Sequence, residues 1–227
     1  MYSVEGGEMR IIAVTDIHGR DNRVKEFLEH IKYEEFDLIM IAGDITHFGG
    51  KETAYNILKE FIGFGKPFYA VMGNCDGRDV LELLEELNVS LHDKRVEFNG
   101  VGIVGIGGSN ITPFSTIWEF SEEEIWEILT RNYHNGDIVL SHVPPRNTKV
   151  DKTLVGTHAG SKSLRKFIEE KQPPLVICGH IHEGTGIDRI GETLIVNPGP
   201  LAKGHYAVIE FNKEQKKVKD IILEKFL

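Results

Sequence analysis

Two cysteines in 227 residues exclude a fold stapled by disulfides, and a chain of this length buries enough core to stand without them. Positive charge is also scarce. Only 26 Lys and Arg oppose 35 Asp and Glu, for a net charge of −9, so long nucleic acid, which calls for a basic stripe, is not an expected partner. A small phosphoester stays open as a substrate, because bound cations would supply the positive charge locally. No apolar run approaches the roughly 20 residues of a membrane helix, so no membrane partner is expected. The first eight residues, Met1–Glu8, lack the basic start and apolar stretch of a secretion signal. They read as a flexible extension of a cytoplasmic protein. Repeats and low-complexity linkers are missing too, which leaves one domain over residues 9–227 and no internal boundary. A homo-oligomer is compatible with this composition.

The sequence does contain five short segments in which an apolar run ends on metal-ligand residue types. They are Asp16-Ile17-His18, Gly43-Asp44, Gly73-Asn74-Cys75-Asp76, Ser141-His142 and Gly179-His180-Ile181-His182. The runs before them, 11–14, 38–41, 68–72, 138–140 and 175–178, have the length and β-branched content of buried strands. Strands that all deliver carboxylate, amide or imidazole at their C-terminal ends build a site at the rim of a sheet.

The first half alternates strand and helix. Strands at 10–14, 37–42 and 67–72 are followed by helical periodicity at 22–32, 52–61 and 78–87, which implies a parallel sheet covered by helices. Tyr55, Ile57, Leu58 and Phe61 form the apolar positions of the second helix. Asn99-Gly100 between two strand-like runs predicts a hairpin, and Ser121-Glu122-Glu123-Glu124 a capping box opening a helix to Arg131. A strand at 138–140, a helix at 161–170 and a strand at 175–178 follow. The C-terminal part reads as strands at 186–190, 193–196, 206–211 and 218–223. The expected fold is α/β, with two facing mixed β-sheets flanked by helices in a single domain. Trp118 and Trp126, with Phe114 and Phe120, are expected to pack a helix, and His30, His92 and His134 to lie at the surface.

Aspartate, asparagine and histidine without thiolate suit borderline cations such as Mn²⁺, Fe²⁺, Co²⁺, Ni²⁺ or Zn²⁺. Seven side chains are too many for one tetrahedral ion. With one carboxylate shared they fit two divalent ions roughly 3.5–4 Å apart. In this order and at this spacing, the five segments resemble the calcineurin-like metallophosphoesterase family, from Asp16 to the Asn197-Pro198-Gly199 turn. The resemblance implies an αββα sandwich with the metals at the strand ends. It implies that Asp16, His18 and His182 hold one ion, that Asn74, His142 and His180 hold the other, and that Asp44 bridges them. It implies hydrolysis of phosphodiesters or small phosphorylated metabolites by attack of a metal-bridging hydroxide, with the diesterase favoured and Asp16, Asp44 and Asn74 taking part in catalysis.

One position departs from the family pattern. Where most active members carry Gly-Asn-His-Asp or Gly-Asn-His-Glu, this chain has Cys75. A subset of small members and a retromer subunit of the same fold likewise have no histidine there. A thiol has the wrong pKa and reach to replace imidazole as a general acid. Asp76, which would orient that histidine, is left without its role. His47, His158 and His205 are candidates to fill the gap. His158 is favoured, because Gly156-Thr157-His158-Ala159-Gly160-Ser161 lets backbone approach a ligand just before a helix start. The alternative reading is a metal-bearing interaction scaffold of the same fold with little or no turnover.

Overall fold

Alternating apolar strands and amphipathic helices build the first half of a sandwich. The computed structural model describes residues 7–227. In chain order come β1 (Glu8–Val14), α1 (Asp21–Ile31), β2 (Leu38–Ala42), α2 (Lys51–Phe64), β3 (Phe68–Val71) and α3 (Arg78–Glu86). β1, β2 and β3 pair in parallel. β4 (Lys94–Phe98) and β5 (Val101–Ile106) form the expected hairpin, with Asn99 and Gly100 both at positive φ as a tight turn between twisted strands requires. A short parallel pair, β6 (Ser109–Asn110) and β7 (Glu119–Phe120), was not foreseen and ties down the loop between them.

The remaining elements are α4 (Glu122–Asn132), β8 (Ile138–Ser141), α5 (Lys162–Lys171), β9 (Leu175–Ile177), β10 (Gly186–Ile190), β11 (Thr193–Asn197), β12 (His205–Asn212) and β13 (Lys217–Lys225). At the start of α4 the Ser121 hydroxyl accepts from the Glu124 amide, and the Glu124 carboxylate accepts from the Ser121 amide. The capping box is as expected.

The strands form a five-stranded sheet, β13-β12-β1-β2-β3, and a six-stranded sheet, β10-β11-β9-β8-β5-β4. Side-chain alternation sorts the apolar residues into three layers. Ile12, Val14, Ile39 and Ile41 pack against α1–α3, while Met9, Ile11, Met40, Ile103, Leu140 and Ile177 fill the space between the sheets. Val104, Val139, Val176 and Ile195 pack against α4 and α5. This αββα arrangement brings the C-terminal ends of β1, β2, β3, β8 and β9 to one edge.

Some local expectations change. Residues 1–6 of the expected extension lie outside the described residues, but Glu8 already pairs with Asn212 in β1, because β12 returns to give it a partner. α2 runs on to a left-handed Gly65 stop, and Ala54 rather than Tyr55 faces the core, leaving Tyr55 48% exposed. His92 is not a surface residue. Its ring stacks on Phe120, its Nδ1 accepts from the Gly107 amide at 3.1 Å, and burial pushes its pKa down to about 4. The four aromatics do not act as one group. Trp118 and Phe120 join His92, Trp126 lies under the Lys166 ammonium, and Phe114 is exposed.

Candidate metal centre

The loop leaving β1 is laced to the loop leaving β2 by three backbone hydrogen bonds. The amides of Asp16, His18 and Gly19 donate to the carbonyls of Gly43, Asp44 and Ile45 at 3.1, 2.8 and 2.9 Å. Asp16, His18, Asp44 and His180 all have positive φ, between 49° and 68°. Residues with a Cβ rarely adopt this conformation, so four strained residues at one sheet edge mark a place where surrounding structure over-determines the backbone. Glycines permit the close approach. A Cβ on Gly43 would lie 2.6 Å from His142 Nδ1, and one on Gly73 would collide with the Asp44 carboxylate and amide.

Side-chain donor atoms converge on two points. His18 Nε2 and His182 Nε2 face each other at 3.1 Å, with Asp16 Oδ1 at 3.6 and 3.2 Å from them. Around the second point, His142 Nε2 lies 2.9 Å from Asn74 Oδ1 and 3.5 Å from Asp44 Oδ1, and the His180 ring centroid is 5.1 Å from that of His142. Asp44 serves both. Its Oδ2 is 3.6 Å from His18 Nε2, while its Oδ1 faces His142 and also accepts from the Cys75 amide at 2.9 Å. His142 Nδ1 donates to the Ala42 carbonyl at 2.7 Å, leaving Nε2 as the lone-pair nitrogen.

The electrostatics suit a cation. Burial opposes ionisation of Asp16, but hydrogen bonds from His18 and His182 outweigh it and hold the carboxyl well below its usual range. Burial disfavours a charged His18, yet the carboxylates of Asp16 and Asp44 raise its pKa overall. Burial and the neighbouring His142 push His180 down to about 4, keeping a neutral imidazole at pH 7. Carboxylate oxygens and imidazole nitrogens packed this closely fit divalent cations as their counterpart.

A family profile for calcineurin-like phosphoesterase matches residues 9–184, which span all five ligand segments. This chain belongs to that family. An uncharacterised Methanocaldococcus jannaschii protein, MJ1162, is 38% identical over 199 residues, covering 85% of this chain and 88% of that one. Among solved structures, a dimetal phosphatase from Danio rerio has a TM-score of 0.64 at 9% identity, covering 96% of this chain and 95% of that one. An archaeal phosphodiesterase has a TM-score of 0.55 at 16% identity, covering 95% of this chain and 100% of that one. The two structures share the fold.

The segment expected to depart from the family pattern is Cys75-Asp76. The Cys75 thiol sits 3.6 Å from Asn74 Nδ2, and burial, with Asp44 beside it, pushes its pKa well above the ordinary thiol value. It is a neutral group at pH 7. Asp76 is not idle, as its sequence context implied. Its carboxylate accepts from the amides of Ile45, Thr46 and Gly73 and from the Thr46 hydroxyl, at 2.7–3.2 Å. It braces the loop carrying Asp44 against the loop carrying Asn74. Burial and the nearby Asp44 charge raise its pKa to about 6.

The candidate histidines separate. His47 lies on the ligand set, with Nδ1 3.4 Å from His18 Nδ1. His158 makes no contact with the ligands; its Nδ1 is 2.7 Å from Asp151 Oδ1 in the loop between β8 and α5. Asp151 is fully buried and also accepts from the amides of Asn147, Thr148 and Gly160. That loop is tied to the site, since a Cβ on Gly184, two residues after His182, would collide with the Val150 carbonyl. His205 stands on β12.

Sequence reasoning missed Asp151 and Arg20. Arg20 lines, with His18, Gly19, His47, His182 and Ala202, an open cavity of about 460 Å³ over the first ligand cluster. Its signal was its place two residues after His18.

Proposed function

We propose that this protein is a dinuclear metal-dependent phosphoesterase that prefers phosphodiesters or small phosphorylated metabolites. The observation carrying this reading is the division of Asp44, with Oδ2 toward His18 and Oδ1 toward His142. A carboxylate that serves two donor clusters is what a paired-ion site requires. Asp16, His18 and His182 would hold one cation and Asn74, His142 and His180 the other, with Asp44 shared. Bound divalent cations supply the Lewis acidity that polarises a phosphoryl oxygen and makes hydroxide available at neutral pH. The similarity to an archaeal phosphodiesterase supports the diester preference.

The chain's own residues then divide the work. Arg20, at the cavity wall beside His18 and His182, binds a non-bridging phosphate oxygen. Asp16, Asp44 and Asn74 orient the reacting centre. His158, held by buried Asp151, delivers a proton to the leaving oxygen in place of the histidine absent at position 75. An imidazole whose second nitrogen is fixed by a buried carboxylate has one defined tautomer, the arrangement general acid–base catalysis uses.

A second reading, a metal-bearing interaction scaffold with negligible turnover, draws on the neutral, half-buried Cys75 at the position where a histidine is expected from the family pattern. One assay decides between them. Chelator-stripped protein is offered Mn²⁺, Ni²⁺, Zn²⁺ or Mg²⁺ with bis(p-nitrophenyl) phosphate and with p-nitrophenyl phosphate. Metal-restored turnover, faster on the diester, is expected. Stoichiometric metal uptake without turnover on either ester would leave the scaffold.

A further inference from the structure

The loops that frame the ligand clusters carry large apolar side chains out into solvent. Phe48 is 54% exposed, Ile111 69%, Phe114 82%, Leu154 84% and Val155 87%. Exposed apolar residues are common singly, and a gathering of them around one site is the informative case. Backbone bonds tie the first two loops to the site, and a close packing contact ties the third. The Phe48 amide donates to the Cys75 carbonyl at 2.9 Å, and the amides of Ile117 and Trp118 donate to the Asn74 carbonyl at 3.0 and 3.3 Å. The Leu154-Val155 tip closes through Thr153 and Thr157 on the loop whose Val150 abuts Gly184.

Phe48 adds a second observation. Its φ is +58°, a conformation that a bulky side chain adopts only under constraint. Its ring lies 5.0 Å from that of His47, which in turn touches His18. The backbone is thus strained to present an aromatic ring outward beside the ligands, where folding alone would favour hiding it.

Charge completes the picture. In a chain of net charge −9, residues 144–162 hold Arg146, Lys149, Lys152 and Lys162 against the single acid Asp151, which is buried and occupied by hydrogen bonds. A rim apolar at its tips and basic along the loop between β8 and α5, beside the proposed phosphoester site, matches an anion joined to a hydrocarbon. A nucleobase matches less well, since the inner aromatic Phe120 already stacks with both His92 and Trp118, and three of the five rim residues are aliphatic.

We infer that the substrate is an amphiphilic phosphoester, with its phosphate at the ligand clusters and an alkyl or acyl chain lying across Phe48, Ile111, Phe114, Leu154 and Val155. This rests on the phosphoesterase reading and narrows its substrate class.

The test is kcat/KM for p-nitrophenyl alkyl phosphodiesters from methyl to octyl, with saturating Mn²⁺, each ester measured below its aggregation concentration and the long-chain esters also above it. Full burial of a methylene gives about a fourfold gain, so a chain lying half in solvent should gain roughly twofold per methylene, mostly through KM. Leu154→Ser/Val155→Ser and Phe114→Ser should each lower the octyl rate at least several-fold more than the methyl rate. Tyr55→Ser, on the outer face of α2, should leave the whole series as it is. Brisk turnover with no dependence on chain length would overturn the proposal and leave the phosphoesterase reading standing. A gain seen only above the aggregation concentration would overturn it as well, in favour of docking on a lipid assembly. Failure to turn over any ester, methyl included, would remove the parent reading and this one with it.

Discussion

Gly43→Ala is the sharpest perturbation of the proposed second ion, because it alters no ligand. The new Cβ would lie 2.6 Å from His142 Nδ1 and 2.8 Å from the Gly73 Cα, where ordinary contact begins at 3.4 Å. His142 would have to retreat by about 0.8 Å to restore normal contact, giving up the 2.7 Å bond from Nδ1 to the Ala42 carbonyl. Alanine at φ +88° adds about 1–2 kcal/mol of backbone strain, and overpacking adds about 1–3 kcal/mol. The sum stays below the about 5–15 kcal/mol that typically holds a domain folded. The variant should therefore fold, at a lower melting temperature. Asp16, His18 and His182 lie on the other side of Asp44 and should keep their ion. Misplacing a catalytic group by about 1 Å costs on the order of 10²-fold, and turnover should fall by at least that much. Elemental analysis of the metal-replete variant should find one ion per chain against two in the parent, with circular dichroism reporting the fold. Two ions and a kcat/KM within about threefold of the parent would show that His142 is not held where its ligand role needs it.

Asp44→Asn should reduce turnover by more than 10³-fold and weaken both ions, whereas excess Mn²⁺ should partly rescue His142→Ala; equal, metal-independent losses would mean the roles are misassigned. His158→Gln should steepen the dependence of rate on leaving-group pKa by removing a proton donor typically worth about 10²–10⁴-fold, and His47→Gln should not; the reverse pattern would move the proton to His47. His92 tests burial rather than catalysis. Its folded pKa of about 4 lies below the unfolded 6.5, so the unfolded state takes up the proton first and stability is lost as pH falls from 6.5 toward 4. The loss is at most roughly 3 kcal/mol, and His92→Asn should flatten it in urea unfolding at pH 7 and pH 4; parallel curves for parent and variant would refute the assignment.

The element order was legible because its signals are local. Buried strands, amphipathic helices, the Asn99-Gly100 turn and the Ser121 capping box each announce themselves over a few residues. Strand pairing is not local. That β12 crosses to β1 and extends it back to Glu8 follows from how the C-terminal strands close the first sheet, which no window of the sequence carries. The candidate ligand types were legible for a chemical reason: carboxylates and imidazoles that recur at the ends of five apolar runs are costly to bury singly and converge more naturally on a shared cation. Asp151 was hidden because an aspartate in a polar loop looks solvated; only the fold shows the amides of Asn147, Thr148 and Gly160 that it accepts from and the imidazole it fixes. His92 misled in the opposite sense, since nothing nearby in sequence announces the Trp118–Phe120 shelf that covers it.

The expected absence of a histidine at position 75 reads differently once Asp76 is placed. Were Asp76 present only to orient a histidine, losing that histidine would leave a buried carboxylate without partners, an arrangement costly enough to be quickly unfavourable to the fold. Instead it accepts from Ile45, Thr46 and Gly73, and so fixes the loop of Asp44 to the loop of Asn74. Four of the seven proposed ligand residues sit at positive φ, and such strain persists only where other bonds hold the backbone. Asp76 supplies several of those bonds. The backbone that carries Asp44 and Asn74 is therefore held without help from the side chain at position 75, whose amide donates to Asp44 Oδ1 and whose thiol meets Asn74 Nδ2 at 3.6 Å. On the proposed reading, a proton donor can stand elsewhere without loosening that backbone, so the seven candidate ligands are compatible with a cysteine at position 75.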